Sequence, residues 1–414
     1  MRLRWRQIRR SIWFRPAVSA LSAVAILALA PLLGAIVPRT WAAWMTRDAV
    51  EKTLTILATS MPAVAIFAVA TMFSALQAAA QSATPRARSL MTEDRSAQNA
   101  ISTFIGAFLF STVGLIGITT GFYDDVGCFI VFVLAMALIG LVTYTLIGWI
   151  QRLSRIGGVE EAIRTIEKAT NDALERDAKA PAFGGRIAKR PAKGIEIHAD
   201  EVGYVQSVDA DHLELMAREL DGTLHIVARP GSLVGPGSVL AISEHAGEDL
   251  HERVRKAFAL GTSRTFDEDA RFGLICLSEI ASRALSPAVN DPGTAISVLR
   301  AMTRLLVDWS RAHAAGGDGE IRHEHITAER VASNDVLRDA FGAIGRDGAG
   351  HVEVAIRLQK SLALLDRADH GALGPAASEL AVEAFERSAK ELAFEPDRRA
   401  LAQVHEHLGW SRRS

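Results

Sequence analysis

The chain has 414 residues, of which 49% are hydrophobic and 22% are charged, and its formal net charge is -1. This composition excludes a collagen, a disordered chain and a disulfide-rich scaffold, and the length allows two or three domains. The charges are unevenly distributed, because residues 1–155 carry 14 Lys and Arg against 6 Asp and Glu, whereas residues 156–414 carry 32 against 41. The two parts of the chain therefore face different surroundings.

Four long stretches in the first third of the chain contain no charged residue. They cover residues 16–38, 53–85, 96–123 and 126–151. Each is longer than the roughly 20 apolar residues that an α-helix needs to cross the hydrocarbon core of a bilayer. Soluble proteins rarely contain four such stretches in succession. The sequence therefore predicts a domain of four transmembrane helices in residues 1–155, with the lipid bilayer as its partner.

Arginines cluster where the predicted spans reach one side of the membrane. They lie in the first 15 residues, in the loop at 86–95, and at Arg152 and Arg155 after the fourth stretch. Positively charged loops stay on the cytoplasmic side, so this distribution predicts that both termini are cytoplasmic. The apolar stretch that follows the first arginines is longer than the core of a signal peptide, and we expect an uncleaved first helix.

The second predicted span is rich in hydroxyl and amide side chains although it carries no charge. Its candidate pore-lining residues are Thr55, Thr59, Ser60, Thr71 and Gln77. Pairs of small residues four apart in the third span permit close helix packing, so we predict a homo-oligomer. The alternative for the polar residues is ordinary hydrogen bonding between helices. No span contains an acidic or basic residue or a histidine, which argues against a proton-coupled transporter.

The cytoplasmic part begins with an amphipathic helical pattern. We predict a juxtamembrane stalk helix and linker over 156–194, because apolar residues recur at helical spacing before a stretch rich in Ala, Pro and Gly. Four strands are predicted at 195–198, 201–208, 223–228 and 238–243. Asp211 and Glu214 have the spacing of a capping box for a short helix between the second and third strands.

Residues 231–237, followed by an apolar strand, resemble the tight hairpin of the barrel-sandwich domains that carry biotin or lipoate. No lysine stands at a carrier position near this hairpin, and no cofactor is predicted. Residues 195–246 are thus expected to form a small β-barrel-like unit, and residues 247–414 a helical domain. The predicted fold is an α-helical membrane domain joined to a cytoplasmic α+β domain that contains this barrel-like unit and a helical bundle.

A punctuated break between two helical patterns gives the candidate ligand site. Thr265 and Glu268 form a capping box for the first helix, which ends before Pro287. Asp291 is the predicted N-cap of the second helix, with Pro292 at its first position. An anionic ligand could bind at this helix terminus with the help of nearby arginines. The candidate residues are Arg264, Arg271, Arg283, Asn290, Asp291, Gly293 and Thr294.

The alternative is a purely structural helix corner. In that case Asp291 satisfies the free N–H groups of the second helix, and the arginines pair with acidic residues close by in the sequence. The residue pattern alone does not decide between the two interpretations.

The same segment carries a family resemblance. Residues 264–296, with the run Arg-Ala-Leu-Ser-Pro-Ala-Val-Asn-Asp-Pro-Gly-Thr-Ala-Ile from Arg283, resemble the signature of a bacterial family of predicted membrane proteins, domain of unknown function 2254. The strand at 203–206 and the loop at 85–98 are also similar, although Thr84 departs from the aromatic residue or serine expected before Pro85. The resemblance implies a bacterial inner-membrane protein with a cytoplasmic domain, and it implies no activity.

Other classes of function find little support in the sequence. The histidine pairs 323/325 and 405/407 lie two residues apart and lack a third ligand at a suitable spacing, so no metal site is predicted. Motifs of nucleotide-binding, hydrolase and kinase sites are missing, and we expect no enzyme. The acidic C-terminal part argues against nucleic acid as a partner.

Two functions lead the interpretation of the sequence, and an enzyme comes third, with the neighbourhood of Arg264, Arg283, Asn290 and Asp291 as its only candidate site. The first is a homo-oligomeric channel-like or transport-like assembly with a cytoplasmic regulatory domain. The second is a membrane-anchored sensor or scaffold that binds an anionic ligand or a protein partner without transport.

Overall fold

The computed structural model describes residues 14–33, 46–82, 86, 95–153, 158–247, 249–316, 321–368 and 373–410. The chain divides into two compact units, Met1–Glu161 and Ala162–Ser414. Each unit has its own core of buried apolar side chains.

The N-terminal unit consists of helices. They are α1 (Phe14–Leu33), α2 (Arg47–Ser82), α3 (Arg95–Thr119) and α4 (Asp125–Leu153). Three apolar segments are long enough to cross a membrane, namely Arg47–Ser74, Asn99–Thr119 and Asp125–Gln151. In α1 the corresponding segment, Ala17–Ala28, is shorter. Four spans are therefore not confirmed, since the first predicted span, 16–38, continues into residues outside the described ranges.

Small residues bring these helices together, as their spacing in α3 predicts. A Cβ atom on Gly106 would lie 2.3 Å from Ser19 Oγ of α1, and one on Gly117 would lie 2.3 Å from Tyr123 Cε2. The Tyr123 hydroxyl donates a hydrogen bond of 3.1 Å to the carbonyl of Leu27. Close backbone approach of α1 and α3 thus depends on the missing side chain of Gly106.

The C-terminal unit begins with helix α5 (Val159–Lys179), which was predicted as a stalk. One face of α5 is buried against the rest of the unit, including Ile163, Ile166 and Leu174. The segment predicted as a linker contains a left-handed turn at Pro181–Gly184 and strand β1 (Arg186–Ile187), which pairs in parallel with β8 (Ile326–Ala328). The linker residues thus supply part of the folded unit.

Two open sheets follow. The other strands are β2 (Ile195–His198), β3 (Gly203–Val208), β4 (Leu224–Ile226), β5 (Leu233–Val234), β6 (Val239–Ser243) and β7 (Phe258–Gly261). One sheet has the order β1-β8-β4-β6-β2, and the other has the order β5-β3-β7. The four predicted strands are present.

No closed barrel forms among the described strands, so the barrel-like part of the predicted fold is wrong. Strand β5 pairs with β3, whereas β6 pairs with β2 and β4 in the other sheet. The glycine-rich segment between β5 and β6 therefore carries the chain from one sheet to the other and does not close a hairpin.

The remaining elements are mostly helical. They are α6 (Ala210–Glu219), α7 (Leu250–Lys256), α8 (Phe272–Ala284), α9 (Pro292–Gly316), α10 (Ser333–Leu337), a π-helical turn (Arg338–Gly342), α11 (Ala343–Asp347), α12 (Val352–Arg367), α13 (Gly374–Glu391) and α14 (Glu395–His407). Leu358, Leu362 and Ala381 are buried where α12 and α13 pack together. The C-terminal helices thus form the helical part of the predicted α+β fold.

Two of the three predicted helix starts are displaced. Asp209, and not Asp211, caps α6, because its Oδ1 accepts a hydrogen bond of 3.0 Å from the backbone of His212. Helix α8 begins at Phe272 and not at Thr265, because Asp269 supplies the capping carboxylate. The third start is confirmed, since Asp291 accepts the backbone N–H of Thr294. A capping box in the sequence competes with other carboxylates nearby, and tertiary contacts select one of them.

Candidate functional site

A cavity of about 1060 Å³ lies in the C-terminal unit. Its walls come from the end of α5, the turn at 181–184, the loop after β4, the segment before α8 and the residues on both sides of β8. Eight cationic side chains line it: Arg176, Lys179, Arg190, Arg229, Arg264, Arg271, Arg322 and Arg330. Five acidic side chains line it too: Asp177, Glu268, Asp269, Glu329 and Asp335. The excess of cations makes the cavity attractive to anions.

One wall of the cavity contains arginines that are paired internally. Arg264 donates to both carboxylate oxygens of Asp269, at 2.6 and 2.9 Å. Arg271 donates to Asp339 at 2.6 Å and to Asp335 at 2.9 Å. Because these guanidinium groups already have carboxylate partners, we call Arg264, Asp269 and Arg271 the paired wall.

Asp269 is the centre of the paired wall. Its side chain is 2% exposed, and its Oδ1 also accepts the backbone N–H groups of Arg271 and Phe272 at 3.1 Å. Gly231 approaches this carboxylate so closely that a Cβ atom would lie 2.3 Å from Asp269 Oδ2. Gly231 also has a φ of 93°, a left-handed conformation that favours glycine. The loop after β4 therefore depends on glycine to reach the paired wall.

Arg229, from the same loop, is held differently. Its guanidinium donates to the backbone carbonyl of Glu329, lies 5.0 Å from the ring centroid of Phe183, and is 3.8 Å from the nearest carboxylate oxygen, of Asp177. Its side chain is 23% exposed, and desolvation lowers its pKa despite the charges of Asp177 and Glu329. Most of its N–H groups make no hydrogen bond to any residue in the described ranges. They can therefore bind an oxyanion.

The aromatic ring beside Arg229 sits on a strained turn. Ala182 and Phe183 have positive φ angles of 53° and 61°, which residues other than glycine rarely adopt. The turn is held by the Gly184 carbonyl, which accepts the N–H groups of Arg322 and His323. Strain of this kind is typical of functional sites, where the surrounding structure maintains it.

Two further arginines complete what we call the open wall, formed by Arg176, Arg229 and Arg322. Arg176 donates a long hydrogen bond of 3.4 Å to the carbonyl of Phe266 and forms no ion pair with a described residue. The Arg322 guanidinium lies beside Gly184 and forms neither an ion pair nor a hydrogen bond within the described ranges. These charges stay available to a ligand.

Asp177 lies behind Arg229 and joins several elements. Its Oδ2 accepts a hydrogen bond of 3.2 Å from Trp309 Nε1 and lies 3.7 Å from His313 Nε2. The His313 side chain is buried, and its Nδ1 has no hydrogen-bond partner among described residues. Burial lowers the His313 pKa, and the nearby carboxylate of Asp177 partly opposes that shift. The histidine is therefore neutral near pH 7 and leaves the charge of Asp177 unmatched on that side.

The structure divides the predicted anion site between the two ends of α8. Arg264 and Arg271 lie at its N-terminal end in the paired wall, whereas Arg283 lies in its last turn and the segment 290–294 follows its C-terminal end. With a rise of about 1.5 Å per residue, a helix of this length separates its ends by roughly 18 Å. The predicted residues therefore do not form one site.

The helix corner itself has the features of the structural alternative. Asp291 accepts the backbone N–H of Thr294 at 3.1 Å and its hydroxyl at 2.6 Å, and these hydrogen bonds lower the pKa of Asp291. Asn290 has a φ of 50° and is exposed, as is Gly293. Arg283 is also exposed and has an interaction of its own. The cap is thus filled by a side chain of the chain itself.

The candidate pore residues lie on α2, where Thr55, Thr59 and Gln77 are exposed and Ser60 and Thr71 are half-buried. Their hydroxyl groups bond within α2: Thr55 to Glu51, Thr59 to Thr55, Ser60 to Ile56 and Thr71 to Phe67, each through the backbone carbonyl. Thr55, Thr59 and Gln77 are exposed, whereas Leu54 and Leu57 face the buried side of α2. A pore lined by these residues would thus require further copies of the chain.

The histidines of the two His-Glu-His motifs belong to separate structural contacts. His323 bonds to Asp211 and to the carbonyl of Phe183, and His325 bonds to Glu214. His405 bonds to Gln359 and stacks on Phe385. Glu214 therefore serves His325 instead of the predicted capping box.

Sequence reasoning missed the three arginines of the open wall. Arg176, Arg229 and Arg322 are far apart in the sequence, and none lies in a recognisable motif. The one local signal was the turn sequence Arg229-Pro-Gly231, which predicts a loop without predicting what that loop contacts.

The comparisons with known proteins cover most of the chain. A family model described as "Predicted membrane protein (DUF2254)" matches residues 9–364. Uncharacterised proteins of Mycobacterium bovis and Mycobacterium tuberculosis are similar, with 26% identity over 363 residues that cover 81% of this chain. The aligned part spans 64% of the length of those relatives. No solved structure matches the chain.

Proposed function

The chain belongs to the DUF2254 family of predicted membrane proteins, and on that premise we propose that it is a receptor that binds an anionic small molecule in its C-terminal unit. The observation that carries this proposal is Arg229. A guanidinium group that is largely removed from water, with most of its N–H groups unused, gains from a charge-assisted hydrogen bond to an oxyanion. The cavity around it has the size of a small-molecule site.

The receptor is connected to the membrane through α5. Residues 154–158 lie between the last apolar helix, α4, and α5, and the end of α5 carries Arg176 and Asp177 in the cavity wall. A ligand that contacts α5 therefore binds an element that is continuous in sequence with a membrane helix. We propose that ligand binding changes the arrangement of the membrane helices that precede α5 in the sequence.

The proposed location is the bacterial inner membrane, with both termini and the C-terminal unit in the cytoplasm. The arginines near residues 2–15, 86–95 and 152–155 support this orientation through the positive-inside rule. We propose binding and not catalysis, because the sequence carries none of the catalytic motifs of hydrolases or kinases.

The homo-oligomeric channel expected from the second span stays a prediction. The exposure of Thr55 and Thr59 on α2 supports a contact with a second copy there. Potassium or chloride flux in liposomes that depends on the protein and falls in the Thr59→Val variant would favour a pore. Protein-free vesicles are the control, and flux that is unchanged by the substitution would remove Thr59 from the pathway.

The receptor proposal is tested by ligand-dependent stabilisation of the purified full chain in detergent. Pyrophosphate and citrate, at constant ionic strength, are expected to raise the melting temperature, since a ligand that binds the folded state stabilises it. The Arg229→Gln variant should lose this response. Arg399→Gln, an exposed arginine of α14, is the matched control and should keep it. No stabilisation by either anion, or an equal response in both variants, would contradict the proposal.

A further inference from the structure

We infer that the ligand of this cavity is a phosphate ester that also carries hydroxyl groups, of the size of a nucleotide. This inference rests on the proposed function and names its ligand class. It follows from the size of the cavity, from the arrangement of the open wall, and from unused acceptor atoms opposite the arginines.

The size of the cavity favours an occupant larger than a simple inorganic anion. Pockets for drug-sized ligands have volumes of about 300 to 1,000 Å³. The cavity of about 1060 Å³ lies just above the upper end of this range. A lone phosphate ion would leave most of it filled with water, whereas a nucleotide-sized molecule would contact several walls at once.

The open wall offers three guanidinium groups to a ligand with more than one negative charge. Arg176, Arg229 and Arg322 come from α5, from the loop after β4 and from the segment before β8, so three separate segments each supply one guanidinium. Arginine binds phosphate and carboxylate through its planar fork of N–H groups. Arg229 already faces the carboxylate of Asp177 at 3.8 Å. A ligand with one negative charge competes poorly with this carboxylate, whereas a phosphate monoester or diphosphate brings a greater charge.

The acidic residues of the cavity offer acceptor atoms to hydrogen-bond donors of a ligand. Asp177 uses Oδ2 to accept from Trp309, Glu268 uses Oε2 to accept from Val208, and Glu329 uses Oε1 to accept from Arg190. In each carboxylate the second oxygen accepts no hydrogen bond from a described residue. Ionised carboxylates are acceptors only, so they favour hydroxyl or amino groups over further anionic groups.

Glu268 and several apolar residues line the same cavity. Desolvation raises its pKa above the ordinary value for glutamate, and the nearby Arg176 opposes that shift. Phe183, Ile226 and Val331 contribute apolar surface to the same cavity. A sugar or base ring has both the hydroxyl or amino groups and the apolar faces that these walls match.

Two natural sources share this chemistry, a soluble nucleotide and the phosphorylated headgroup of an inositol lipid. The experiment is isothermal titration of the purified full chain with ADP, inositol trisphosphate, pyrophosphate, citrate and adenosine. We expect ADP or inositol trisphosphate to bind at least tenfold more tightly than pyrophosphate and citrate, and adenosine to show no binding. Which of the two phosphate esters binds more tightly identifies the source.

Substitution of Glu329, one of the carboxylates that line the cavity, tests the proposed contact with a hydroxyl group of the ligand. Glu329→Gln is expected to weaken binding of the preferred phosphate ester about fivefold while leaving pyrophosphate affinity unchanged. Glu386→Gln, on the exposed surface of α13, is the control and should change neither. Pyrophosphate affinity also reports whether the Glu329 variant is folded.

The outcomes separate this inference from the receptor proposal. Pyrophosphate and citrate binding that depends on Arg229, with no tighter binding of either phosphate ester, would overturn the ligand class and leave the receptor intact. Binding of none of the anions would overturn both.

Discussion

Both walls of the cavity contain arginines, but the arginines of the paired wall bond closely to aspartates and those of the open wall do not. In the paired wall, Arg264 and Arg271 bond to aspartates at 2.6 to 2.9 Å, so their charges are used within the fold. In the open wall, the nearest carboxylate to Arg229 is 3.8 Å away, and the Arg322 guanidinium forms no ion pair or hydrogen bond with a described residue. An arginine in a cavity is thus evidence for a ligand only when its donors are unused.

The largest expected effect comes from breaking the paired wall at its centre. Asp269→Ala removes a buried carboxylate that holds Arg264 and caps α8, and it leaves a guanidinium without its partner. Loss of one member of a buried ion pair destabilises by about 3 to 5 kcal/mol. Denaturant unfolding of the purified protein measures this change.

The matched control for Asp269 is Asp308→Ala, an exposed residue of α9 whose nearest cation, Arg311, is 3.8 Å away. It should change stability by less than about 1 kcal/mol. If the two variants were equally stable, the paired wall would have no structural role.

The second prediction concerns the point where the two walls meet. Gly231→Ala places a Cβ atom 2.3 Å from Asp269 Oδ2 and forces a side chain into a left-handed conformation. We expect a loss of about 1 to 3 kcal/mol in unfolding free energy. Gly237→Ala is the control, because its φ of 89° imposes the same strain but no atom lies within 4 Å. Equal losses in both variants would show that strain alone matters.

A smaller effect is expected from one arginine at the edge of the open wall. Arg322→Gln should weaken pyrophosphate binding by about 1 kcal/mol, roughly fivefold, because an exposed charge is well screened by water. Titration calorimetry measures the affinity, and the melting temperature without ligand should stay the same. A large fall in that melting temperature would place Arg322 among the structural arginines.

The smallest predicted effect is the pH dependence at the back of the open wall. Burial holds the His313 pKa below its unfolded value of about 6.5, so the unfolded chain binds a proton that the folded state resists. With respect to His313, the free energy of unfolding is therefore highest above about pH 6.5, and it decreases as the pH falls toward the pKa of His313 in the folded state.

His313→Gln isolates this contribution. Burial also lowers the pKa of His225 and His405, but both residues remain in the variant. Denaturant unfolding at two pH values, one above and one below the unfolded pKa, should show a smaller loss for the variant than for the unchanged protein. An identical loss would assign the pH dependence to other groups.

Much of the secondary structure could be predicted from the sequence. The strands at 195–198 and 238–243 and the cap at Asp291 follow from alternation and from local cap chemistry. The roles of Asp209 and Asp269 at the N-termini of α6 and α8 were missed because several carboxylates lie close to each terminus in the sequence. The choice among them depends on Arg264 and on the neighbouring elements, which a local pattern does not contain.

The sequence by itself determined that the chain is a membrane protein, because long apolar stretches without charge are stable as helices in lipid whatever surrounds them. It also determined the strand and helix types, since these follow from local periodicity. Only the tertiary structure decided that the sheets stay open, and which arginines are paired and which face the cavity. Ion pairing depends on distances of a few ångströms between residues such as Arg229 and Asp177, which are 52 positions apart in the sequence. No periodicity encodes such distances, and folding alone brings the two residues together.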